Sequence, residues 1–317
     1  MLRSHVIIKF CRETIVRKIL FVLSILLISL NCFGLTYTLP KNGGDVVGKV
    51  QWTRALPGDT FITIGRRYDI GYFELVEANP GIDAEHMQPG TIIVIPTKFV
   101  VPRVPRNGMV LNIAELRIYY FPKDGHEVMT YPVGIGREGW NTPVGVTKIT
   151  GKVKDPTWYV PESIHKWRAK DGVTLPPKVG PGPNNPLGAY KMLLGFHPGD
   201  YRMHGTNDPT GIGRRSSSGC IRMWSEDVEE LYNLVHVGTQ VRVMNDPFKA
   251  GWLHNKVYLE SHTPLEEEQK MYDKDLTPMR YDVQSAVQGQ NVQVNWDRAN
   301  EVASQQSGIP QVVGEAQ

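Results

Sequence analysis

From Gly108 onward the chain is a run of short apolar and β-branched segments cut by turn residues, and this pattern leaves few folds open. Met109–Ile113, Leu116–Phe121 and Glu127–Val133 read as strands, with Lys123-Asp124-Gly125 turning between the second and third. Thr142-Pro143-Val144-Gly145 leads into another strand that runs through Ile149. Successive hairpins of this kind predict a mainly β domain, sandwich- or barrel-like, over residues 107–244. Short helices punctuate it. Ser225 can cap one whose first turn carries Glu226 and Asp227, and whose buried stripe is Val228, Leu231, Leu234 and Val235.

Residues 50–96 form a separate α+β unit. Pro57-Gly58 marks a turn, Asp59 or Thr60 can cap a helix bearing Phe61, Ile64 and Tyr68, and Tyr72, Leu75 and Val76 give a second helical face ending at Asn79-Pro80-Gly81. Pro89-Gly90 then turns into the β-branched strand Thr91–Ile95, stopped by Pro96, so the order is strand, helix, helix, strand. Residues 97–106, with Pro102 and Pro105, read as an extended, semi-rigid linker. Residues 171–188 are rich in proline and glycine and are expected to form a lid or wall over a cleft. Residues 245–284 retain apolar positions (Phe248, Trp252, Leu253, Val257, Tyr258, Leu259) that should pack on the β domain. Residues 285–317, rich in Gln, Asn and Ser, are expected to be mobile.

Residues 1–36 read as an export leader. Arg3, Lys9, Arg12, Arg17 and Lys18 precede an apolar run from Ile19 to Leu30, and cleavage after Gly34 or Thr36 suits the small residues there. The apolar run falls short of the roughly 20 residues that cross a bilayer as a helix. The chain has 35 Lys+Arg and 32 Asp+Glu; the leader holds five of the former and one of the latter, which leaves 30 against 31. The basic excess therefore belongs to the leader, and nucleic acid is not an expected partner. Cys11 and Cys32 leave with the leader, so Cys220 remains unpaired in an oxidising compartment, where a free thiol calls for a reason.

That reason is local. Tyr190–Phe196 and Asp200–Met203 read as strands that bring His204 to a strand end, and Ser216-Ser-Ser218-Gly219-Cys220-Ile221-Arg222 follows shortly after. A thiol near a histidine and a helix N-terminus is expected to have a lowered pKa, which raises its thiolate fraction. Gly219 allows close substrate approach, and the backbone N–H groups at Gly219 and Cys220 could form an oxyanion hole. The pair suits acyl transfer through a thioester, with His204 relaying the proton. No orienting carboxylate is evident for the histidine, so a backbone carbonyl is a candidate. Arg214 and Arg215 could meet substrate carboxylates or simply lie exposed, and Tyr201 and Ser218 are further candidates for substrate contact. His165, His197, His236 and His254 show no metal-ligand spacing, so no metal and no cofactor are expected. Trp140, Trp158 and Trp167 read as packing or cleft-wall residues.

Two resemblances sharpen this. Pro57-Gly58-Asp59-Thr60, Ile64-Gly65-Arg66-Arg67-Tyr68, Ala78-Asn79-Pro80 and Pro89-Gly90-Thr91 through Pro96 resemble a LysM module. The resemblance implies binding to N-acetylglucosamine-containing glycan such as peptidoglycan, through Gly58, Asp59, Thr60, Asn79, Pro80 and Ile82; the bland alternative is a spacer. Asn185-Pro186-Leu187-Gly188, His204-Gly205-Thr206-Asn207, Gly211-Ile212-Gly213 and Ser217-Ser218-Gly219-Cys220-Ile221-Arg222-Met223 resemble the L,D-transpeptidase catalytic domain of the YkuD-like family. That resemblance implies Cys220 as nucleophile, His204 as acid/base oriented by the Gly205 carbonyl, and Arg222 positioning substrate. Many members carry histidine where this chain has Ser218. The implied donor is a peptidoglycan tetrapeptide stem cleaved between diaminopimelate and D-alanine. The implied acceptor is a second diaminopimelate or a lysine of an envelope protein such as an outer-membrane lipoprotein, and the implied location is the periplasm of a Gram-negative envelope. A same-fold cysteine hydrolase and a catalytically silent wall-binding protein are the competing readings.

Overall fold

A computed structural model describes residues 34–41, 43–197 and 200–317. The expected leader lies outside the described residues except at its end. There the strand Leu35–Thr38 pairs with Glu127–Thr130, so a leader ending at Thr36 would remove half of that strand, whereas one ending at Gly34 leaves it whole.

The β domain is built on one nine-stranded, curled sheet. Its order is Leu35–Thr38, Glu127–Pro132, Arg117–Phe121, Gly108–Asn112, Gln240–Met244, Gly145–Lys154, Tyr190–Leu194, Arg202–His204 and Ile221–Arg222. Neighbours are antiparallel except at two places, Gly108–Asn112 beside Gln240–Met244 and Arg202–His204 beside Ile221–Arg222. Few helices accompany this sheet, as the turn-rich pattern predicts.

The sheet is buried on both faces where it meets the N-terminal unit, because its strands alternate between two cores. Met109, Leu111, Ile118 and Tyr120 enter the core of the β domain, whereas Val110, Tyr119, Phe121 and Val128 point the other way. Onto that second face pack two helices, α1 (Phe61–Tyr68) and α2 (Tyr72–Ala78), bringing Phe61, Ile64 and Leu75. The hairpin Gln51–Arg54 with Ile92–Ile95 completes the unit. Thr60 caps α1 in a reciprocal box with Thr63, and Asp69 ends it in the left-handed region at φ 54°.

The linker expectation is corrected. Lys98–Val100 is a strand paired with Val46–Gly48, and Phe99, Val100 and Val101 are buried, so these residues are part of the core between the two units. Polar groups reinforce the joint. Arg117, with no exposed surface, donates to both oxygens of Glu74 (2.7 and 2.9 Å), to Thr130 and to the Asp69 carbonyl, and its guanidinium lies 4.6 Å from the Phe99 ring centroid.

Two further helices serve the cleft. The exposed helix α3 (Glu162–Ala169) buries none of its residues. The helix α4 (Ser225–Leu234) buries Val228 and Leu231, with Val235 just beyond it, but Leu234 faces solvent, and Trp224 rather than Ser225 occupies the cap position without a side-chain bond.

The C-terminal third holds the largest departure from expectation. Residues 285–317 are not a mobile tail: they supply two strands and a helix of a third compact unit. Its sheet runs Phe248–Leu253, Lys256–Ser261, Gln311–Ala316, Val292–Val294. Against this sheet lie α5 (Gln269–Tyr272), α6 (Thr277–Val287) and α7 (Trp296–Gln305). Its core is its own, with Phe248, Val257 and Leu259 meeting Met279, Val283, Ala299, Val302 and Val313. The polar composition hides a helical stripe of small apolar residues, Ala299, Val302 and Ala303, and a cap in which Asn295 accepts from the Arg298 N–H. The unit is tied to the rest through buried charge: Lys249 reaches Glu115 at 2.7 Å and Glu260 at 3.0 Å, and His262 joins Glu260 to Glu77 of α2.

Candidate active site

The catalytic candidates meet where two strands run parallel at the sheet's end. Met203 pairs with Ile221 and His204 with Arg222, so Cys220 sits immediately before the second strand, beside the end of the first. Both Cys220 and His204 line one cleft, together with Trp140, Trp158, Pro161, Ser163, Ile164, Pro186, Leu187, Asp200, Arg202, Ser217, Ser218 and Arg222. The cleft has a volume of about 120 Å³ and opens to solvent.

His204 is held by its own neighbour: Nδ1 lies 2.6 Å from the Gly205 carbonyl. A carbonyl can only accept, so Nδ1 carries the proton and Nε2 keeps its lone pair. Gly188 (φ +65°) must be small here, because a Cβ on it would sit 3.0 Å from the Cα of Gly205, the residue whose carbonyl holds the imidazole. Asn185 fixes that loop from within. Fully buried, it donates to the carbonyls of Pro156 and Gly180 and accepts from the Leu187 N–H.

Burial sets the protonation states. It drives the His204 pKa down to about 3, and Arg222, Arg202 and Lys191 add to that depression while the Gly205 bond opposes it. Burial also raises the Cys220 thiol, and the positive charge of Arg202, Arg222 and Lys191 offsets only part of the rise. The expected thiolate is thus corrected: the resting pair is a neutral thiol beside a neutral imidazole, because desolvation of both charged forms outweighs nearby cations.

The Cys220 loop is braced from the opposite side. Gly219 adopts φ +98°, and a Cβ there would press on Tyr201 at 3.1 Å. Thr142 donates to the Gly219 carbonyl at 3.0 Å, and Ser217 Oγ donates to the Cys220 carbonyl. Tyr201 lies beside Gly219 and stacks edge-on against Phe196.

Sequence reasoning missed Arg137. Its guanidinium lies 4.8 Å from the Trp140 ring centroid and 4.1 Å from that of Trp167 on α3. Nη1 reaches Ser218 Oγ at 3.3 Å, and Nη2 is buried with no acceptor. Arg222 likewise leaves Nε buried without an acceptor, its Nη1 reaching Ser216 Oγ at 3.5 Å. Arg202 pairs with Asp200 but leaves its own Nε unmatched. The only hint in the sequence is an arginine in a glycine-bounded turn, Gly136-Arg137-Glu138-Gly139-Trp140.

Other expectations are redirected. Arg214 does not face the cleft: it stacks on Tyr72 at 3.5 Å and pairs with Glu85, and Arg215 pairs with Glu267. Of the loop 171–188, Pro186 and Leu187 line the cleft, and Trp158, Pro161, Ser163 and Ile164 supply more of its wall. In the N-terminal unit, Asp59 is buried and receives two bonds from Arg67 and one from the Leu56 N–H. Asn79 bonds Leu75 and Val94 with both ends of its amide, and Ile82 packs against the core. These groups, with the capping Thr60, are consumed by the fold; Gly58 and Pro80 remain exposed. Among the described residues, one cluster has the composition of a metal site, Glu115, Glu260 and His262, but Lys249 occupies its centre as the balancing cation.

The comparisons agree with this architecture. The model of the L,D-transpeptidase catalytic domain (YkuD) matches residues 106–243, and that of the LysM domain matches residues 56–96. Three proteins of Escherichia coli K12 are similar over most of the chain. "Probable L,D-transpeptidase ErfK/SrfK" is 35% identical over 301 residues, 92% of this chain and 95% of the relative. "Probable L,D-transpeptidase YcfS" is 36% identical over 281 residues, 87% of each chain. "Probable L,D-transpeptidase YbiS" is 34% identical over 282 residues, 87% of this chain and 90% of the relative. The chain belongs to the L,D-transpeptidase family. Its pairing of catalytic and LysM domains implies peptidoglycan as the polymer it binds.

Proposed function

We propose that the protein cleaves the diaminopimelate–D-alanine bond of a peptidoglycan tetrapeptide stem through a Cys220 thioester and passes the acyl group to an amine in the periplasm. The observation that carries this is the Nδ1–Gly205 bond, since it leaves Nε2 of a neutral imidazole facing the cleft that Cys220 also lines. As the Cys220 sulfur attacks the carbonyl, Nε2 takes the thiol proton, so no resting thiolate is needed. The tetrahedral oxyanion is stabilised by the N–H groups at Gly219 and Cys220. The imidazolium then gives its proton to the departing D-alanine nitrogen, and the thioester remains. An acceptor amine reverses the sequence: its nitrogen attacks the thioester, Nε2 takes the amine's proton, and the thiol is restored.

The surplus of cations at the cleft supports a substrate rich in carboxylates. The unmatched donors of Arg137 and Arg222 suit stem carboxylates, with Ser218 between Arg137 and the nucleophile. The acceptor is a second diaminopimelate or a lysine of an envelope protein such as a lipoprotein. Incubating the mature protein with a disaccharide-tetrapeptide tests the donor step. A mass adduct on Cys220 with release of D-alanine, both lost in Cys220→Ser, is the expected result. Its absence from folded, reduced protein would overturn the proposal. Adduct decay by water alone, unchanged by added amines, would make the enzyme a hydrolase.

A further inference from the structure

Beneath α1, where the first described residues join the sheet, lies a cluster of three carboxyl groups. Asp69 and Asp227 are each 2% exposed, and Glu230 is half-buried beside them. Arg117 lowers the Asp69 pKa through space, but its hydrogen bonds go to Glu74 and, at Asp69, only to the backbone carbonyl. Arg66 pairs with Glu226 at the exposed rim. Asp69 and Asp227 are hydrogen-bonded carboxyl to carboxyl, and burial holds Asp227 in its protonated form, while Asp69 Oδ1 and Asp227 Oδ2 have no partner among the described residues.

What does reach the cluster is the backbone at its N-terminal edge. The Leu35 nitrogen lies 3.1 Å from Asp69 Oδ2, and the Gly34 nitrogen 2.9 Å from Glu230 Oε2, which also accepts from Tyr131. Gly34 lies so close to the Tyr131 ring that a Cβ there would fall 2.1 Å from it, so no larger residue fits. Cleavage after Gly34 would put Gly34 and Cys32, both small, at the first and third positions before the cut, the pattern that leader peptidases read.

We propose that a leader peptidase hydrolyses the bond between Gly34 and Leu35, and that the new α-ammonium of Leu35 becomes the buried cation of the Asp69–Asp227–Glu230 cluster. Water supplies hydroxyl to the Gly34 carbonyl and hydrogen to the Leu35 nitrogen, leaving a carboxylate on the departing leader. An amide offers one N–H at this point, whereas an ammonium offers three and a full charge. Asp69 Oδ2 is already in place for one, and Glu230 Oε2 loses its Gly34 donor at the same cut. Burial pushes the Asp69 carboxyl up to about 7 against the pull of Arg117, and an ammonium in contact with Oδ2 would favour its ionised form further. Export and folding are thereby coupled, since the cation exists only after processing.

The test begins with intact mass and N-terminal sequencing of protein exported from the full-length chain, where a start at Leu35 is expected and any other start overturns the proposal. The Leu35 form, released from a fusion with its α-amine free, is then compared with a form retained from Asn31. The folding equilibrium should favour the Leu35 form by roughly ten- to a hundredfold, the range of a charge-assisted buried bond. That advantage should vanish in Asp69→Asn. If Asp69→Asn does not fold, Asp227→Asn provides the same readout with a smaller loss. Equal stability of the two starts, or an advantage that survives in these variants, would overturn the ion pair.

Discussion

Two arginines, one buried and one half-buried, define the contrast between the joint that holds this molecule together and the candidate cleft. Arg117 is enclosed between the N-terminal helices and the sheet, and carboxylate, hydroxyl and carbonyl acceptors surround it. Arg137 is clamped by two indole rings at the cleft, with one terminal nitrogen on Ser218 and the other on nothing. A buried cation whose donors are all satisfied has no capacity left for a ligand, and its role is to fix geometry. One held in plane with an unmatched donor is preorganised for an anion that arrives later. The same side chain is thus closed by packing in one region and left with an open donor in the other, and what separates them is the count of acceptors.

The largest effect should come from removing the joint altogether. Deleting residues 50–96 strips the cover from Val110, Tyr119, Phe121 and Val128 and leaves Arg117 without Glu74. No cooperatively folding catalytic domain is expected, as judged by calorimetry. A stable, active product would show the two units to be independent after all. Next, Glu74→Gln should cost about 3–5 kcal/mol of stability, the loss typical when one partner of a buried pair is removed, with little change in kcat for the protein that remains folded. Denaturant titration alongside steady-state kinetics separates the two.

At the cleft the signature reverses. Arg137→Gln should raise KM for a tetrapeptide stem by roughly ten- to a hundredfold while the melting temperature moves by only a few degrees. A collapse in stability with unchanged KM would place Arg137 with Arg117. The smallest effect concerns pH. With His204 held down to about 3 by burial, the imidazole stays neutral throughout the working range. The profile of kcat/KM should therefore show no acidic limb near 6.5, the ordinary histidine value, as pH falls from 8 to 5. A limb there would mean that the free enzyme's histidine is solvated rather than held neutral by burial.

Much of this architecture is legible in the amino-acid sequence. Turn spacing after Gly108 points to a β domain, and the strand–helix–helix–strand unit carries its own punctuation. The dyad stands out because His204 and Cys220 fall in segments with little else to explain them. What misleads is composition read without periodicity: Gln- and Asn-rich residues 285–317 conceal Ala299, Val302 and Ala303 on one helix face. Arg214 and Arg137 mark a second limit. Both are arginines in loops, and only the fold decides that one lies on Tyr72 and the other at the turn before Cys220.

The sequence by itself determined the main strands of the β domain, the strand–helix–helix–strand order of residues 50–96 and the two candidate side chains for covalent chemistry, because these depend on near neighbours along the chain. The tertiary structure alone decided that the LysM unit shares a core with the catalytic sheet, that the dyad rests uncharged, and which arginines are satisfied and which are open. Those outcomes turn on desolvation and on partners far apart in sequence, as when Glu74 meets Arg117 or Leu35 meets Asp69. Burial and charge compensation belong to the assembled surface, and no local pattern encodes them.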